Sequence, residues 1–173
     1  MKQFVNFWIK DDDSEEVIQY TYRAGVSGEI EIERLCEGLN ILTVYFRKLN
    51  ALNKELDFDD ESTEIMLANL PIQQSTVKEL DGLKIGLKKG WTNKQMFTML
   101  SLRDGEPINN NRIEFKLRED GSINVLWTGV FTSYQSGEDV GRFELNLIAF
   151  EKKDLITPLC ENNEILISHF KSK

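Results

Sequence analysis

A chain of 173 residues that is 40% apolar can bury one ordinary core, and no Pro/Gly/Ser linker divides it, so residues 1–173 read as a single domain. Its formal net charge of −8 argues against a nucleic-acid-binding surface, because displacing counterions from phosphate requires clustered Lys and Arg; the acidity suits solubility or a basic partner. With 1 His and 2 Cys, a His-rich metal site, a disulfide framework and a structural zinc site are all excluded.

The start, MKQFVNFWIKDDD, lacks the long apolar region and small-residue cleavage site of a signal peptide, and no run reaches membrane-spanning length. The expectation is a cytoplasmic protein with no membrane partner. Residues 3–9 (QFVNFWI) and 17–22 (VIQYTY) are aromatic and β-branched, and the polar run DDDSEE between them makes a turn, which predicts a hairpin. After the breaks at Gly25 and Gly28, Glu29 to Ile32 alternates and reads as a short strand.

From Glu33 to Leu56 the apolar residues Leu35, Leu39, Leu42, Tyr45, Phe46, Leu49, Leu52 and Leu56 recur at steps of three and four. That spacing predicts an amphipathic helix over 33–56, with Cys36 beside its apolar stripe as a buried free thiol. Ser62 then caps a short helix carrying Ile65, Met66 and Leu70, which Pro71 ends. Residues 72–82 have no period and read as a loop.

From Leu83 the period is two. Leu83, Ile85 and Leu87 make a strand with one polar face, Met96 to Leu102 a strand apolar on both faces, and Asp104 to Asn111 a long turn. In the next pair of segments Ile113, Phe115 and Leu117 alternate with charged residues, as Ile123, Val125 and Trp127 do with Ser122, Asn124 and Leu126. A two-residue Asp120-Gly121 turn would set Leu117 opposite Asn124. A three-residue loop Glu119-Asp120-Gly121, with Gly121 left-handed, instead pairs Leu117 with Ile123, Phe115 with Val125 and Ile113 with Trp127, so that register is predicted. Tyr134 to Gly141 reads as a loop, Arg142 to Phe150 as a strand with Phe143, Leu145, Leu147 and Ala149 on one face, and Glu164 to His169 as a last edge strand. No internal repeat emerges. The fold class expected is therefore α+β: a mostly antiparallel, twisted sheet or partly closed barrel of about seven to nine strands, packed by one long helix over 33–56.

The candidate sites are few. Asp57, Asp59, Asp60 and Glu61 crowd together as a calcium loop would, but Ser62 stands where such a loop needs glycine and Ala68 where it needs glutamate. An acidic loop is the ordinary reading; with the Asp11 to Glu16 cluster it could steer a basic partner. Trp91, ringed by Lys88, Lys89 and Lys94, is either a hot spot for a partner or a plug folded against the end of the sheet. Cys160 and His169 lie nine residues apart without the strained turn of a nucleophile, and no glycine motif cradles phosphate.

These features favour a non-enzymatic, cytoplasmic protein-binding module with no cofactor and no metal, an inhibitor for a basic partner. Its partner-binding residues would be Asp57, Asp59, Asp60, Glu61 and Trp91. Small acidic inhibitors such as toxin-immunity proteins share this composition profile, a likeness of composition and not of sequence. The alternative is a small-ligand-binding, β-barrel-like protein with aromatic side chains around a cavity. The third is a hydrolase with a carboxylate-based site, for which Asp104, Glu106 and Asn109 to Asn111 are the loop residues.

Overall fold

The computed structural model describes residues 3–10, 16–23, 28–47, 50–51, 64–92, 95–101, 105–133 and 136–152. Among these, eleven strands join one continuous sheet. In chain order they are β1 (Phe4–Lys10), β2 (Val17–Arg23), β3 (Gly28–Cys36), β4 (Leu39–Phe46), β5 (Asn50–Ala51), β6 (Glu64–Ile72), β7 (Lys84–Leu87), β8 (Thr98–Ser101), β9 (Glu106–Leu117), β10 (Ile123–Thr132) and β11 (Asp139–Glu151). Seven of them run in the order β10-β9-β8-β6-β4-β3-β11, and the pairing of β10 with β11 closes the ring into a barrel. Every ladder is antiparallel except the short one between β11 and β3.

The two longest strands are shared between the barrel and the strands outside it. β9 pairs with β8 through Glu106 and Pro107, then with β7 through Asn111 to Glu114. β11 pairs with β1 through Gly141 to Asn146, then with β3 through Ala149 to Glu151. The barrel thus closes at two diagonally opposite corners of the β9-β10-β11 layer, as strand stagger requires. The other two corners carry β7 on one side and the β1-β2 hairpin on the other. Among the described residues one 3-10 turn, at Val77–Leu80, buries both its end residues in the core.

Strict alternation makes the core. Ile113 and Phe115 of β9, Ile123, Val125 and Trp127 of β10, and Phe143, Leu145, Leu147 and Ala149 of β11 are all buried and belong to one cluster. Trp127 meets Phe143 edge-on with ring centroids 5.6 Å apart, and Phe7 lies 6.1 Å from Phe143 and 6.3 Å from Phe131. On the same strands Arg112, Glu114, Lys116, Arg142 and Glu144 are exposed, as is Lys84 on β7. Charge outside and hydrocarbon inside is the inverse of a transmembrane-barrel pattern. Among the described residues no helix is long and apolar enough to cross a membrane.

The α+β expectation is overturned: the protein is nearly all β, and no long amphipathic helix is present among the described residues. Where a helix over 33–56 is predicted, β3 runs to Cys36, Glu37 and Gly38 turn, and β4 follows from Leu39. Leu42, Val44 and Phe46 are buried while Thr43 and Tyr45 are half-buried, which is a period of two. The run Ile41-Leu42-Thr43-Val44-Tyr45-Phe46 is β-branched and aromatic, residues that lose side-chain freedom in a helix and fit a pleated surface. Two hydrogen-bonding neighbours, β3 and β6, then satisfy its backbone on both edges. Residues 48, 49 and 52–56 lie outside the described residues.

The short helix after Ser62 is likewise replaced, by β6. Pro71 does not end it because β8 pairs β6 only from Glu64 to Leu67, so Pro71 sits where one edge of the strand has no ladder to interrupt. The predicted turn over 104–111 is β9 from Glu106 onward. The β1-β2 hairpin and the strands at 29–32, 83–87 and 142–150 are present. So is the predicted β9-β10 register: Leu117 pairs with Ile123, Phe115 with Val125 and Ile113 with Trp127, and Gly121 has φ +82°. The Arg118 N–H donates to the Ser122 carbonyl at 2.9 Å, which makes Glu119-Asp120-Gly121 a three-residue loop. The predicted strand at 164–169 lies outside the described residues.

Candidate functional site: a groove on the outer wall

The ladder between β9 and β10 has one irregularity. Thr128 pairs with Arg112 and Val130 with Asn109, so Asn110 and Asn111 together face Gly129 as a β-bulge. Asn110 adopts a left-handed conformation (φ +51°), which asparagine tolerates, and its N–H donates to the Lys88 carbonyl at 3.0 Å. Asn111 turns inward. Its Oδ1 accepts from the Trp127 indole N–H at 2.8 Å, and its Nδ2 donates to the Ile108 carbonyl at 2.8 Å and to Thr98 Oγ1 at 3.1 Å.

Above the bulge, on the outer face of the sheet, lies an open groove of about 700 Å³. Register explains its composition. One row of outward side chains crosses five strands as Gly86, Arg112, Thr128, Glu144 and Asn6, and the next row contains Val130, Arg142 and Trp8. Lys88, from the segment after β7, also lines it. The groove is open at Gly86 because no side chain stands there: a Cβ on Gly86 would meet nothing within 4 Å.

Its electrostatics differ from those of the chain as a whole. Lys88, Arg112 and Arg142 are exposed and face one carboxylate, Glu144, in a protein whose net charge is −8. Among the described residues none of the three cations forms an ion pair; the pairs present are Arg47 with Glu64, Lys84 with Glu114, Arg118 with Asp120 and Lys152 with Glu31. Arg142 lies over the Trp8 ring, 4.9 Å from its centroid, which holds the guanidinium against the wall of the groove.

The carboxylates moved from their ordinary range lie elsewhere. Burial, reinforced by the neighbouring Glu31 charge, raises Glu33. The Ser75 backbone N–H lowers Glu79, and hydrogen bonds from the Ser122 hydroxyl and N–H lower Asp120. These belong to turns and to a strand surface, not to a convergent acid–base pair in a cleft. Among the described residues no cluster of three or more His, Cys, Asp or Glu side chains is placed to hold a metal ion.

Of the residues proposed from sequence, Trp91 is 41% exposed, bridges to Met96 and carries Lys89 Nζ 5.9 Å above its ring, so it does not plug the sheet; nor does it line the groove. Asp57, Asp59, Asp60 and Glu61 lie outside the described residues, as do Asp104, Cys160 and His169. Glu106 and Asn111 are buried, while Asn109 accepts a hydrogen bond from the Gly90 N–H at 3.2 Å. From Glu106 onward this stretch is a strand, in which the Asn109 and Asn111 side chains are engaged in structure. Cys36 is a half-buried free thiol on β3.

Sequence reasoning overlooked Trp8, Arg112 and Arg142, and set Lys88 beside Trp91 rather than in the groove. Trp8 shares a face with Asn6 and Arg142 and alternates with buried Val5 and Phe7. The available signal was the strand phase: with Ile113 and Phe143 inward, Arg112 and Arg142 must both point outward. Compared with family models, curated proteins and solved structures, the chain matches none of them.

Proposed function

We propose that this protein is a non-enzymatic binding module that holds a partner protein in the outer groove rather than a small molecule inside the barrel. The observation that carries this reading is the contrast between the two faces of the β9-β10-β11 layer. Inward, Trp127, Phe7, Phe115, Phe131 and Phe143 are buried at 2% exposure or less, which favours a filled interior over a ligand site there. Outward, cations with no ion pair among the described residues, an aromatic face and a missing side chain at Gly86 converge on open space. Partner-binding surfaces favour Arg and Trp in this way. The acidic cluster at Asp57 to Glu61 lies outside the described residues, and the proposal adds the groove as a docking surface. The proposal sets this module in the cytoplasm, where a free thiol such as Cys36 stays reduced.

The test places a photo-crosslinking amino acid at Thr128, in the groove, or at Lys116, outward on the same sheet but beyond it. In lysate of the native host, a single partner crosslinked from Thr128 and not from Lys116 supports the reading. Gly86→Phe should abolish that crosslink while leaving the thermal midpoint within about 2 °C of the parent, because its side chain enters empty space on an exposed strand face. Equal crosslinking from both positions, or a crosslink that survives Gly86→Phe, would count against it.

A further inference from the structure

We infer that the occupant of this groove is an acidic, extended peptide segment, whose carboxylates lie between Arg112 and Arg142 across β10. The inference rests on the groove being a docking surface and adds the chemistry of what docks. Arg112 on β9 and Arg142 on β11 flank β10 and are offset by one outward position, since Arg112 pairs with Thr128 and Arg142 with Val130. Two strand spacings and one two-residue step put their Cα atoms about 12 Å apart, within the combined reach of two arginine side chains. An anion above Thr128 can therefore meet both guanidinium forks, the geometry that suits a carboxylate.

Arg142 is already held on Trp8, so less of its side-chain freedom is lost on binding. Neither arginine has a carboxylate partner among the described residues, and the charge awaiting one is net positive, with Lys88 added and Glu144 subtracted. The row from Gly86 to Asn6 crosses four strand spacings, about 19 Å, which an extended peptide of about six residues would span. It also has an entrance: among the described residues β7 pairs only with β9, so the Gly86 end opens at a sheet edge. A polyphosphate chain fits less well. Glu144 sits in the middle of the row, where an extended peptide can present a backbone N–H between its carboxylates and a polyphosphate chain presents only further anionic oxygens.

The experiment is a titration of the full chain, followed by the arginine Nε–H resonances in NMR, with a polyglutamate peptide of about six residues, polylysine of the same length, and inorganic phosphate. The expected result is saturable movement of the Arg112 and Arg142 signals with polyglutamate alone, while Arg34 and Arg118 stay in place. Arg112→Gln and Arg142→Gln should each weaken binding about tenfold, and Glu144→Gln should tighten it severalfold. Both arginines are exposed, so these variants fold. Phosphate matching polyglutamate in affinity would overturn the peptide assignment in favour of a simple anion site. Polylysine moving the groove signals would overturn the acidic occupant while leaving the docking surface standing. Movement spread over all arginines, or none, also overturns the inference, and the Thr128 crosslink decides separately whether the groove docks a protein.

Discussion

Gly90→Ala is expected to lower stability by about 3 kcal/mol or more, a fall of roughly 6 to 12 °C in thermal midpoint for a chain of this size. A Cβ at Gly90 would run into the Thr98 hydroxyl and the Ile108 carbonyl. Neither can retreat. Thr98 Oγ1 donates to the Ile108 carbonyl at 2.8 Å and accepts from Asn111 Nδ2 at 3.1 Å, all within the bulge network. Gly90 cannot move away either, because its carbonyl accepts from the N–H groups of Phe97 at 2.6 Å and Thr98 at 3.0 Å, and its own N–H donates to Asn109. The position needs glycine because two backbones approach there, not because of a turn. Gly86→Ala is the control, since its Cβ would meet open space. Urea unfolding of both variants checks the claim; a Gly90→Ala protein within about 1 kcal/mol of the parent would mean that the strand junction yields more readily than its hydrogen bonds imply.

The second large effect is expected at Asn111. Asn111→Ala strands the Trp127 indole N–H, whose side chain is 1% exposed and has no water to turn to. A buried donor without a partner costs about 1 to 3 kcal/mol, and the vacated amide volume adds to that, so a loss of about 3 kcal/mol is expected. The Ile108 carbonyl keeps its bond from Thr98, so the hydrogen-bonding part of the cost should trace to Trp127. A double-mutant cycle isolates it: in a Trp127→Phe background, Asn111→Ala should cost at least about 1 kcal/mol less than it does in the parent. Additive losses would locate the role of Asn111 elsewhere in the bulge. Circular dichroism in urea is the suitable readout, because removing Trp127 alters fluorescence directly.

Both predictions concern the stretch Asp104 to Asn111, which in sequence looks like a polar loop. Its asparagines are turn residues by composition, yet two of the three take structural posts in and beside a strand: Asn109 holds Gly90, and Asn111 holds Trp127. Nothing in the local sequence announces those partners, which lie 19 and 16 residues away. The hairpin beside it is legible for the opposite reason. From Ile113 to Trp127 the core face, the polar face and the turn glycine all specify one register, and any slip by one residue would bury charge.

The stretch from Glu33 to Phe46 was ambiguous in a definable way. Leu35, Leu39, Leu42 and Phe46 satisfy a helical stripe, while Leu42, Val44 and Phe46 satisfy a strand, and the two patterns share residues. The β-branched content pointed to the strand. What decides it is the presence of β3 and β6 at hydrogen-bonding distance on either side, a condition that only the assembled sheet supplies.

By itself, then, the sequence determined the β1-β2 hairpin, the alternation of β7, of β9 from Ile113 to Leu117, of β10 and of β11, the turn at Glu119 to Gly121, and the inward set led by Phe115, Trp127 and Phe143, because each depends on contacts between near neighbours in the chain. Tertiary structure alone decided the barrel closure and the groove. Arg112, Arg142, Trp8 and Gly86 come from four strands, and each taken alone is an ordinary outward position. Long-range register aligns them on one face, and that register follows from a core formed by residues more than a hundred positions apart, as Val5 and Leu145 are.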